Sequence, residues 1–349
     1  MSWRTVPAAS LAAHPEYAAH WRRLHGAGAG SPLLALEFAA AALEVFGSGA
    51  ELLAMHLDQT GQPDVMTILQ PARRGAWTTF QPSQAPIGFW LQRDAQLQPA
   101  QLQPAQLAGL LRALPGVALL LGLTQCDPML LERPADTPAL TTLDYIRTAR
   151  IELAGGFDAY WDARGKNLRA NLKKQRNRLR QDGVATRLQI SRAEAEMAAA
   201  VADYGRLESA GWKAAGGTAV AGENPQGRFY RLLLEAFARQ GAASVYRYWI
   251  GERLAAMDLC IEGGGCLVVL KTAYDEELGA SLGRQFSPAL LMREEACRAL
   301  FDEGRLASIE FYGRVMDWHL RWSDDIRTLY HLNAYRWPWL RRLHARSSA

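Results

Sequence analysis

The 349-residue chain has no apolar run near the ~20 residues that a bilayer-crossing helix needs, so a membrane-inserted protein is not expected. Cysteine is scarce. Cys126, Cys260, Cys266 and Cys297 form no CxxC pair and no Cys/His cluster at metal-ligand spacing, which argues against a zinc module or any other metal site. Cys260 and Cys266 flank a Gly263-Gly264-Gly265 turn, close enough for a cross-hairpin bridge, but the reading for all four is reduced thiols. The N-terminus lacks a basic segment followed by an unbroken apolar one, so no secretory signal is expected and the location reads as cytoplasmic. Excess charge is small: 39 basic against 35 acidic residues leave +4, too little to argue for nucleic acid by itself.

What the chain does have is core-forming material, with 49% hydrophobic and 21% charged residues, and length enough for two domains. The Pro-rich stretch "CDPMLLERPADTPALTTLDY" reads as the connection between them, giving domains of 1–140 and 141–349. In the first, the opening ~30 residues read as helical up to "GAGAG". "SPLLALEFAAAALEVFG" is a second helix, "ELLAMHLDQTGQPDVMTILQPARRGAWTTF" a set of strands joined by turns, one of them at Thr60–Pro63, and "LAGLLRALPGVALLLGLTQ" a helix and a buried strand. A short duplication, "QLQPA" at 96–100 and 101–105, marks a tolerant loop or the start of a helix.

The second half is plainer. "FDAYWDARGKNLRANLKKQRNRLRQDG" predicts a helix closing at Gly183, and "VATRLQISR" a strand. Two helices follow, the later one with Asn224 as cap, Pro225 at its start and Gly241 at its end. "SVYRYWI", "RLAAMDLCIE" and "CLVVLKTAY", separated by glycine turns, predict an antiparallel meander. A helix from Ser287-Pro288 to Gly304 then leads to the strand "LASIEFY", and this strand–helix–strand connection predicts a parallel last pair. The layout is α+β with a mixed sheet.

Ser287 and Pro288 stand at a helix mouth, as N-cap and first helical residue. Such a mouth presents open N–H groups and the positive end of the helix dipole, so it is either an ordinary capped helix or a phosphate site, with Arg284 near in sequence.

Arg284-Gln285-Phe286-Ser287-Pro288-Ala289 resembles the Gln/Arg-x-x-Gly-x-Gly/Ala loop of GNAT-superfamily acyltransferases, with Ser at the central Gly. "FDAYWDARGKNLRANLKKQRNRL", "LESAGWK", "VLKTAYDEE", "FSPALLM" and "FYGRVMDWHLRW", in that order over about 145–335, resemble the CelD-like and Fem-like branch. That branch carries two tandem GNAT-like domains with mixed sheets flanked by helices. The N-terminal half resembles the branch's first domain in outline. The resemblance implies an acyl-CoA co-substrate, acetyl-CoA in the first instance. Its pyrophosphate lies at the loop and its pantetheine arm between strands 266–273 and 306–312, where they splay. The residues expected to hold it are Lys271, Thr272, Ala273, Arg284, Gln285, Phe286, Ser287, Pro288, Ala289 and Leu290. An amine or hydroxyl acceptor attacks the thioester directly, so the protein must orient the pair, remove a proton and hold the oxyanion.

His319, Tyr312 and Glu310 lie on or just after the last strand and are the catalytic candidates. An imidazole suits a general base or acid, although a His before a Trp-rich helix is equally a packing residue, as a buried Tyr is. Related sequences carry Lys where this one has Trp318-His319. Glu208, Trp212, Lys213 and Asp317 are expected around the acceptor, against the alternative of a solvated helix end. Lys271 interrupts an apolar strand and needs a partner or ligand, with Asp258 on the next strand as the expected mate. Eight basic residues, Arg164 to Arg180, occur with no acid and no aromatic among them, which leaves a solvated face or a phosphate-binding one. The acceptor expected is a small molecule, a sugar or cell-envelope precursor. A Fem-type aminoacyl-tRNA donor is the second reading, not favoured for want of a long heptad insertion. A non-catalytic interaction protein is the third.

Overall fold

The computed structural model describes residues 2–93, 100–209, 224–278 and 286–347, without the side chains of 344–347. Its first residues are extended rather than helical: β1 (Ser2–Pro7) pairs antiparallel with β2 (Leu52–Leu57), and only then come α1 (Ser10–Ala13) and α2 (Pro15–Ala27). Pairing with a distant strand overrides the local Ala-rich signal. A 3₁₀ turn at Pro32 precedes α3 (Leu36–Phe46), and Gly61, at φ 78°, closes the turn from β2 into β3 (Pro63–Arg73). β4 (Ala76–Thr79), β5 (Trp90–Gln92), α4 (Pro104–Ala113) and β6 (Leu120–Cys126) follow, with Pro104 of the second "QLQPA" in the first turn of α4.

The chain divides into two units, 1–148 with 327–349, and 149–326. β7 (Leu140–Glu152) carries it from the first to the second. The first unit's strands lie in the order β1-β2-β3-β4-β6-β13, with β13 (Asp325–Tyr335) returning from the far end of the sequence. Its buried side includes Leu121, Leu123, Tyr330 and Leu332. Arg327 holds both oxygens of Asp127, the nearer at 2.7 Å, and ties β13 to the residue after β6.

The second unit begins with α5 (Phe157–Asp162) and α6 (Lys166–Gln181), two helices where the sequence reads as one. Gly165 is the N-cap of α6, and Gly183, at φ 67°, follows its end. β8 (Thr186–Ser191), α7 (Glu194–Ser209) and α8 (Pro225–Ala238) come next, the last capped by Asn224, which accepts from Gly227 N–H at 2.8 Å. Gly251, Gly264 and Gly265 take positive φ and turn β9 (Ala243–Ile250), β10 (Arg253–Gly263) and β11 (Cys266–Tyr274) into the expected antiparallel meander. α9 (Pro288–Glu303) ends at Gly304 in the left-handed conformation. It leads to β12 (Ser308–Phe311), parallel to β11 as expected, and then to α10 (Asp317–Trp322). The order is β7-β12-β11-β10-β9-β8, a mixed sheet with helices on both faces. The chain closes with α11 (Pro338–Ser347) in the first unit. Among the described residues no helix is long and apolar enough to cross a membrane.

Candidate active site

Two irregularities in β11 create the site. Of β11, β12 pairs with Cys266–Val268 alone, while β11 runs on to Tyr274, so the two parallel strands part after Val268 and Glu310. Between Leu259 and Cys260 of β10 the register skips one residue of β11: Leu259 faces Lys271 and Cys260 faces Val269, which leaves Leu270 as a bulge. Because side chains alternate, the extra residue reverses the phase of everything after it. Leu267 and Val269 pack into the core beneath α9, and beyond the bulge it is Thr272 rather than Lys271 that returns to that side.

On the α9 side a cleft of about 470 Å³ is lined by Thr272, Tyr274, Phe286, Ser287, Leu290, Arg293 and Trp318, among others. The Ser287 side chain makes no hydrogen bond to the first turn of α9, so that turn lacks a side-chain cap. The loop is held from behind instead: Ser287 N–H donates to buried Gln175 Oε1 of α6 at 2.9 Å. Arg176, next to it, donates to Leu291 O at 3.3 Å and pairs with Glu294 at 2.9 Å and Glu295 at 2.5 Å. Part of the basic run therefore fastens α6 to α9. Arg164 likewise pairs with Asp324 at 3.3 Å and Arg169 with Asp162 at 2.9 Å. Lys166, Lys173, Lys174 and Arg180 remain on the exposed face.

Beneath the cleft, Arg293 and Asp258 form an ion pair at 2.7 Å with side chains 5% and 0% exposed. Thr272 Oγ1 donates to the other Asp258 oxygen at 2.5 Å. Burial raises the Asp258 pKa, and Arg293 opposes that rise. The Arg293 guanidinium lies 5.0 Å from the ring centre of Phe311, the first residue of β12 past the last β11–β12 pair. Asp258 is thus the mate of Arg293, not of Lys271, a correction that follows from the bulge.

Lys271 emerges on the opposite face, its Nζ 5.9 Å from the ring centre of Tyr230 on α8. Glu208, buried near the end of α7, acts there too, since burial first and its charge second raise the phenol pKa values of Tyr204 and Tyr230. Glu310 alternates away from Ile309 and Phe311, which pack in the α9-side core. It pairs with Arg150 of β7 at 3.1 Å. Tyr312 is half-buried just beyond β12, and Asp317 is exposed in the first turn of α10.

His319 joins the other group. It is buried against Phe311 and stacked on Trp318, 3.6 Å between ring centres, and its Nδ1 accepts the Met316 N–H at 2.9 Å, closing the N-terminus of α10. Burial, then the charge of Arg293, lower its pKa to about 4. The sequence reading grouped His319 with Glu208; the structure puts them on opposite faces and gives one imidazole nitrogen a capping task. Trp212, Lys213, Arg284 and Gln285 lie outside the described residues. Of the cleft residues expected from sequence, Thr272, Phe286, Ser287, Pro288, Ala289 and Leu290 line it, and Ala273 is buried behind. Arg293 was missed. Its signal was a charge in phase with Ala296, Cys297 and Leu300 on the buried stripe of α9.

Residues 166–320 match the family model described as an acetyltransferase (GNAT) domain. The second unit is a GNAT-superfamily domain. Over nearly its whole length the chain is similar in fold to solved structures. FemX matches at a TM-score of 0.55 and 9% identity, over 98% of this chain and 99% of that one. A conserved protein of unknown function from Bacteroides thetaiotaomicron matches at 0.52 and 11%, over 95% and 98%. The C-terminal domain (DUF2156) of a putative lysylphosphatidylglycerol synthetase from Agrobacterium fabrum matches at 0.51 and 12%, over 87% and 91%. No curated protein matches the sequence.

Proposed function

We propose that this GNAT-type protein is an acyl-CoA-dependent N- or O-acyltransferase that works through the gap between β11 and β12. The observation that carries the reading is the parting of these strands past Val268 and Glu310, directly above a cleft that reaches the uncapped mouth of α9. The residues fit the co-substrate. The first turn of α9 and the Ser287 region suit a pyrophosphate. The edge of β11 beyond Val268 suits the amides of a pantetheine arm, which pair as an added strand would. The donor supplies an activated thioester. Glu208, on the far face with Lys271, is the residue proposed to take the proton of an amine or hydroxyl acceptor arriving from that side. Glu310, on the same face but engaged by Arg150, and Tyr312 are secondary candidates. The acceptor class that we propose is a sugar or cell-envelope precursor, carried by the likeness to the CelD-like and Fem-like branch.

Calorimetric titration with free CoA and acetyl-CoA tests the donor: saturable binding is expected, and its absence sinks the reading. The exposed Lys166, Lys173 and Lys174 favour a second reading, a tRNA-borne donor. A tight, salt-sensitive gel shift with aminoacylated tRNA, in a protein silent to CoA, selects it.

A further inference from the structure

Arg293 has five N–H donors and, among the described residues, a single charged partner. That partner, Asp258, meets Arg293 through one oxygen and accepts a hydrogen bond from Thr272 on the other. The nearest acids along α9 are engaged elsewhere, because Glu294 and Glu295 both pair with Arg176. Asp275, which also borders the cleft, pairs with Arg253 at 2.6 Å. The Arg293 side chain is nonetheless only 5% exposed, and it lines the cleft beside apolar Phe286, Leu290 and Trp318. No Arg293 nitrogen is both fully withdrawn from solvent and without a hydrogen bond, so its spare N–H groups open on the cleft, and a cleft-facing guanidinium edge is suited to receive oxygen atoms.

Its depth indicates which oxygens. Arg293 lies five residues into α9 from Pro288, about 7.5 Å along the helix axis from the proposed phosphate end. Its guanidinium stands against Phe311, where β12 leaves β11. Under the donor reading proposed above, on which this inference rests, that is the thioester end. We propose that Arg293 selects the acyl group, and that the cleft takes an acyl-CoA whose short acyl chain ends in a carboxylate rather than plain acetyl. Asp258 and Thr272 orient the guanidinium so that one edge is held and the other meets the carboxylate. A plain acetyl group has no second acceptor to offer at that depth.

The test is titration of the full chain with free CoA, acetyl-CoA, malonyl-CoA and succinyl-CoA. One carboxylated donor is expected to bind at least about tenfold more tightly than acetyl-CoA, the ratio that one charge-assisted contact supplies. Arg293→Met should abolish the preference for the carboxylated donor over acetyl-CoA, and Arg293→Lys should restore part of it. Should Arg293→Met fail to fold, Asp258→Asn combined with Arg293→Met removes both charges and keeps the experiment open. Free CoA that binds with no preference for a carboxylated donor, or a preference surviving the loss of Arg293, overturns the inference alone. No binding of any CoA species overturns the donor reading and this inference with it.

Discussion

Lys271 and Thr272 are consecutive in β11, yet they serve opposite faces of the sheet: Thr272 Oγ1 holds Asp258 at 2.5 Å, and Lys271 Nζ reaches to 5.9 Å from the Tyr230 ring centre. The strand thereby separates one face, with Arg293, Trp318 and His319, from the other, with Glu208 and Tyr230, which the proposed reading takes as donor and acceptor sides. A through-sheet transfer needs such a division.

Thr272→Val keeps the shape of the side chain and removes its hydroxyl. It leaves a buried carboxylate oxygen one donor short, so a loss of about 1–3 kcal/mol in urea unfolding is expected. A stability unchanged within error would show that the Thr272–Asp258 bond carries no energy.

On the face proposed for the acceptor, Glu208→Gln preserves size and removes the proposed base. Turnover should fall by roughly 100-fold or more while the affinity for acyl-CoA stays put, as expected for a group that acts only in proton transfer. Binding and rate falling together would instead mark Glu208 as part of the scaffold.

Ser287→Asp places a carboxylate at the mouth of α9, where the present side chain makes no cap. The helix should gain from it, with a thermal midpoint equal to or above that of the parent, while CoA affinity drops more than tenfold through repulsion of the pyrophosphate. Undiminished affinity in the titration would remove the phosphates from this site.

The pH dependence of stability tests His319. Its imidazole titrates near 6.5 when unfolded and near 4 when folded, because burial and Arg293 disfavour the cation. The unfolded chain therefore binds more protons in that window. The stabilisation is present above about 6.5 and is lost as pH falls through about 4. His319→Gln retains an acceptor for the Met316 N–H at the N3 position without titrating. The melting temperature of the parent should approach or fall below that of the variant between pH 7 and 4; parallel curves would show that the imidazole is not held neutral.

Local chemistry determined a good deal of this protein. The glycine turns made the meander legible, Asn224-Pro225 announced α8, and Ser287-Pro288 marked the start of α9, because caps and turns are short-range problems that a few residues solve alone. The strand–helix–strand order was enough to predict the parallel pairing of β11 and β12. Tertiary structure decided the rest. β1 is extended because β2, some fifty residues away, offers it hydrogen-bonding partners, and β13 belongs to the first unit because Arg327 and Tyr330 find theirs around Asp127 and Leu131. The bulge at Leu270 is invisible in "CLVVLKTAY", since an apolar strand reads alike in either phase. That one unpaired residue sends Lys271 to α8 and gives Asp258 to Arg293 and Thr272, for a strand's side-chain phase is set by how its backbone pairs with the strand beside it.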